Sequence, residues 1–62
     1  MEIKEISKGL TFKGGVVSGA TNNDEAFQFV LDHFRETTQR LFGWFVIKNE
    51  ETNNVHVILY TD

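Results

Sequence analysis

The chain contains no cysteine and no proline among its 62 residues. Without cysteine there is neither a disulfide scaffold nor a thiolate metal cage, so stability must come from packing or from a partner. Without proline there is no Pro-rich linker, and no repeat or low-complexity tract divides the chain. Long apolar runs are missing too: nothing approaches the ~18 apolar residues of a membrane span. The opening MEIKEISK alternates acids and bases, unlike a secretory signal. A soluble, cytoplasmic protein with no membrane association is therefore expected.

Cations are scarce. Six Lys and Arg stand against nine Asp and Glu, a formal charge of −3. Residues 1–21 carry three Lys and two Glu (+1), residues 22–44 four acids and two Arg (−2), and residues 45–62 one Lys and three acids (−2). Nucleic-acid binding draws its affinity from phosphate neutralisation, which this distribution does not offer.

What the chain has is aromatic and aliphatic bulk: six Phe, one Trp and one Tyr in 7.1 kDa. By surface scaling a chain of this mass buries only about 60% of its unfolded surface. Residues 1–62 are thus expected to form one domain around one small core, which the aromatic side chains suit.

A helix is expected over 23–42. Asn22 is placed to cap it, Glu25 falls at the capping-box position, and Gly43 follows as a stop. Phe27, Val30, Leu31, Phe34, Thr38, Leu41 and Phe42 fall on one side of this helix. Beyond Gly43 the period shortens to two. Trp44–Ile47 and Val55–Tyr60 read as strands around a polar turn. A three-residue loop, Glu51-Thr52-Asn53 with Asn53 left-handed, pairs Trp44 with Tyr60, Val46 with Ile58 and Lys48 with His56. That register sends Phe45, Ile47, Val55, Val57 and Leu59 toward the helix. Two shorter strands, about 2–7 and 10–18, are expected before the helix. The fold class is α+β, with one helix on one face of a small antiparallel sheet in the order ββαββ. The alternative has a single N-terminal strand and a glycine-rich loop, βαββ.

No motif carries chemistry. Lys13-Gly14-Gly15-Val16-Val17-Ser18-Gly19 fits neither phosphate-loop spacing, and Asp24 and Glu25 at the following helix start repel an anion. A flexible connector or bulged strand is the reading there. His33 and His56 lie on different elements without the three or four ligands of a zinc site. Ser7 and Ser18 have no base tied to them. No metal, no cofactor and no enzymatic activity are expected.

Two surfaces remain as candidates for protein binding. One is the sheet face away from the helix, with Trp44, Val46, Ile58 and Tyr60 and with Lys48 and His56 at its rim. The other is a helix stripe of Phe29, His33, Glu36 and Arg40. The expected function is a small acidic protein-binding module that forms homo-oligomers and regulates, inhibits or adapts a larger protein. Such a module would suit a phage or other mobile element. The alternatives are a sheet that stacks single-stranded nucleic acid and an enzyme with a site between subunits.

Overall fold

A computed structural model describes residues 1–35 and 40–61. The elements run β1 (Glu2–Lys8), β2 (Phe12–Ser18), α1 (Asn23–His33), β3 (Leu41–Asn49) and β4 (Asn54–Thr61). The four strands form one antiparallel sheet in the order β1-β2-β4-β3. This is the ββαββ architecture, with β2 and β4 central and β1 and β3 at the edges.

The start of α1 follows from its cap. Asn22 is extended, and its Oδ1 accepts from the Glu25 N–H at 2.8 Å. Glu25 reaches one residue further back than in the usual capping box. Its carboxylate accepts from the Thr21 N–H and the Thr21 hydroxyl, both at 3.1 Å.

The helix is shorter than the sequence suggests. It closes at Phe34, whose N–H bonds Val30 O at 3.1 Å, and Leu41–Gly43 belong to β3 rather than to the helix. The expected helix positions 36–39, Thr38 of the stripe among them, lie outside the described residues. Leu41 gains a place on the ladder opposite Thr61 instead. The shift from Leu41↔Thr61 to Gly43↔Tyr60 leaves Phe42 as the extra residue of a bulge. Gly43 is therefore a strand residue and not a helix stop.

The core is small. Val17, Ala26, Val30, Phe34, Val55, Val57 and Leu59 are buried together, with Ile3, Ala20, Phe27, Phe29, Leu31 and Val46 half-buried around them. The centre of the helix stripe is Ala26-Val30-Phe34. Most aromatics lie outside this core, contrary to the expectation that they would build it: of the Phe, Trp and Tyr residues only Phe34 is buried.

Gly14 and Gly15 are close-packed strand residues, not a flexible connector. Both are buried on central β2. A Cβ on Gly14 would strike the Val57 carbonyl, and one on Gly15 would come within 2.9 Å of Ile3 Cγ1. Opposite them, β1 bulges between Lys4 and Ser7, where Glu5 takes a positive φ of 49°.

Candidate interaction surface

The register of the β3–β4 hairpin decides which side chains meet a partner. Asn49 pairs with Asn54, so the loop holds four residues, 50–53, one more than expected. Asn49 sets this length. Its Oδ1 accepts from the N–H groups of Glu51 (2.9 Å) and Thr52 (3.3 Å), and its carbonyl accepts from the Asn53 N–H at 2.8 Å. Asn53 does take the left-handed conformation, with φ 60°.

One added loop residue reverses the faces of β3. Trp44 pairs with Leu59, Val46 with Val57 and Lys48 with Val55, so all three lie on the helix side. The Trp44 ring sits 5.3 Å from that of Phe27, tilted 51°. Lys48 lines a hollow beside Asn22, Asn23 and Asp24 at the start of α1. These three residues are thus not on the outer face. Phe45 and Ile47, expected beneath the helix, face outward opposite Ile58 and His56.

The β4 half of the expected surface stays in place. His56, Ile58 and Tyr60 alternate with the buried Val55, Val57 and Leu59. On β2, Phe12 pairs with Tyr60, Gly14 with Ile58 and Val16 with His56, so Phe12 and Val16 share this side. The outer face therefore combines Phe12 (37% exposed), Tyr60 (44%), Ile47 (51%) and Phe45 (52%) with half-buried Ile58 and Val16. The Ile58 side chain lies over Gly14, whose lack of a Cβ makes room for it. No described segment covers the face. Its exposed apolar area is on the order of 400 Å², the size of a functional patch on a small protein.

Charge on this side is sparse. Glu2 and Lys4 pair with Ser18 and Val16 on β2, and Glu5 lines a shallow hollow of about 390 Å³ with Val16, Ile47 and His56. A second hollow, of about 460 Å³, lies between Thr11, Phe42, Gly43, Tyr60 and Thr61. Its lining offers hydroxyls but no carboxylate, imidazole or amine.

The helix stripe does not form. α1 ends at His33, so Arg40 lies outside it, exposed just before β3. Phe29 is half-buried against the core rather than projecting from a polar face. His33 is exposed, its ring edge-on to Phe34 at 4.8 Å. Glu36 lies outside the described residues. Among the described residues there is no group of three His, Asp or Glu able to hold a metal ion, and no helix long and apolar enough to cross a membrane.

Phe12, Phe45 and Ile47 are the surface residues that sequence reasoning missed. The signal for the last two was Asn49, whose side chain favours the first position of a turn. No family model, curated protein or solved structure matches this chain.

Proposed function

We propose that this chain is a small acidic protein-binding module that self-associates and regulates, inhibits or adapts a larger protein. The outer sheet face is its docking surface for that partner. The observation that carries this reading is the set Phe12, Phe45, Ile47 and Tyr60, each more than a third exposed on one side of the sheet. Aromatic residues on a sparsely charged patch are the side chains that dominate interface energies.

The aromatics also form a platform on three adjacent strands, as in proteins that stack single-stranded bases. The charge argues against that use. Lys48 is on the helix side, and the outer face is left with Lys4, flanked in sequence by Glu2 and Glu5.

Immobilised wild type and Phe45→Asp, exposed to lysate of the source cell, test the reading. Support is a protein retained by the wild type, lost with Phe45→Asp and kept by a helix-surface control, Gln28→Ala. Equal retention by all three removes the outer face from the function. Salt-dependent capture of single-stranded oligonucleotide, lost with Phe45→Asp, would replace this reading with the nucleic-acid one.

A further inference from the structure

The exposed bulk is concentrated on one strand. Five of the ten exposed large hydrophobic residues among those described are on β3: Leu41, Phe42, Trp44, Phe45 and Ile47. They lie on both of its faces, so an uncovered sheet face alone does not account for them. What they share is the edge.

The two edges of the sheet differ in kind. β1 carries Glu2, Lys4, Glu5 and Lys8 and is bent by its bulge, the usual defences against a further strand. β3 is nine residues long with Lys48 as its one charged residue, and it pairs regularly from Gly43 to Asn49. Its backbone is available as well. The Thr61 N–H bonds Thr11 O at 2.8 Å, toward β2. Backbone direction alternates along an antiparallel strand. Leu59, Val57 and Val55 therefore also point toward β2, and Tyr60, Ile58, His56 and Asn54 toward β3. On β3, Gly43, Phe45, Ile47 and Asn49 answer them. The N–H and C=O groups of Trp44, Val46 and Lys48 are left pointing off the sheet.

We infer that the β3 edge pairs antiparallel with β3 of a second copy about a two-fold axis at Val46, making one eight-stranded sheet. This rests on the self-association part of the proposed function and names how it occurs. A two-fold axis normal to the sheet keeps every side chain on its own face, so the register must centre on a residue. The middle of the regular segment 43–49 is Val46. Trp44 then meets Lys48 of the second copy, whose stem and ammonium cover an indole that is 59% exposed. Phe45 meets Ile47 of the second copy, an aromatic–β-branched pair on the outer face. No cation faces a cation. Withdrawing Trp44, Phe45 and Ile47 removes on the order of 300 Å² of side chain per copy. With the strand backbone the interface totals about 1,000 Å², the lower end for a specific complex. The outer faces of the two copies then lie side by side, with Phe12 and Tyr60 of each copy left open to a further partner.

The absence of native cysteine makes a single introduced thiol a clean reporter. Hydrogen-bonded antiparallel partners lie ~5.5 Å apart between Cα atoms, inside the ~4.4–6.8 Å that a disulfide spans. Full-length Val46→Cys, Ile58→Cys and Leu10→Cys are oxidised at micromolar concentration, with wild-type mass measured by light scattering. The expected result is a wild-type dimer in which Val46→Cys cross-links about tenfold or more faster than the other two, the paired thiols sharing an effective concentration in the millimolar range. Val46→Pro removes an N–H that points away from β4, so it should give a folded monomer by circular dichroism and scattering. If it does not fold, the cross-linking order alone decides. Faster cross-linking of Ile58→Cys means face-to-face association and overturns the edge pairing while self-association stands. A wild type that stays monomeric at 100-fold higher concentration overturns both.

Discussion

The same substitution, Gly to Ala, is expected to act in opposite directions at two strand positions. At Gly14 a Cβ meets backbone: the Val57 carbonyl, and Ile58 Cα at 2.9 Å. Neither belongs to a flexible side chain that can swing aside, so β2 and β4 must separate locally. Overpacking of this kind costs about 1–3 kcal/mol, and contact with backbone places Gly14→Ala at the upper end. At Gly43 the added methyl meets nothing within 4 Å. Its φ is not in the left-handed region, and Ala restricts the unfolded chain more than Gly does. Gly43→Ala should therefore stabilise by about 0.4–1 kcal/mol. For a domain this small each kcal/mol moves Tm by roughly 4–8 °C. Gly14→Ala then lowers Tm by roughly 12 °C or more, and Gly43→Ala raises it by a few degrees. Thermal and urea unfolding followed by far-UV circular dichroism on both variants measures this. A Gly43→Ala loss equal to that of Gly14→Ala would refute the assignment of Gly43 to an open position on the edge strand and of Gly14 to the sheet centre.

Other expected outcomes concern the caps and turns. Asn22→Ala removes the acceptor of the Glu25 N–H and should cost about 1 kcal/mol in urea unfolding, with Asn22→Ser restoring most of it. Asn53→Gly should be neutral or mildly stabilising, because the residue holds φ 60°, whereas Asn53→Val should cost about 1–2 kcal/mol. Leu59→Ala should cost about 2–5 kcal/mol in the buried core, while Ile47→Ala, outward on the neighbouring strand, should cost well under that by the same assay.

The parts of the fold that could be read in the sequence are those written in local chemistry. Asn22 and Glu25 marked the start of α1, and alternation marked β4, whose two faces came out as read. The end of α1 was less legible. Leu41 and Phe42 fit a helical stripe as well as a strand, and the ladder opposite Thr61 and Tyr60 is a long-range reward that no local pattern records. The outer face was half legible for one reason. Strand period is two, so a loop counted one residue short turned Phe45 and Ile47 inward and Trp44, Val46 and Lys48 outward together. Phe12 was missed because its role depends on pairing with Tyr60, 48 positions away in the sequence. Gly14 and Gly15 read locally as breakers. Only the placement of Ile58 and Ile3 over them shows that small size is what the sheet needs there.

The helix covers Trp44, Val46 and Lys48 of β3 and leaves Phe45 and Ile47 on the opposite face. Nuclear Overhauser spectroscopy on monomeric protein, diluted or carrying Val46→Pro, reads this directly. The ring of Trp44 should show contacts to Phe27 of α1, while Phe45 should show contacts to Ile58, Ile47 to His56 and Tyr60 to Phe12, with none from these residues to the helix. Cross-peaks joining α1 to Phe45 or Ile47 would contradict it.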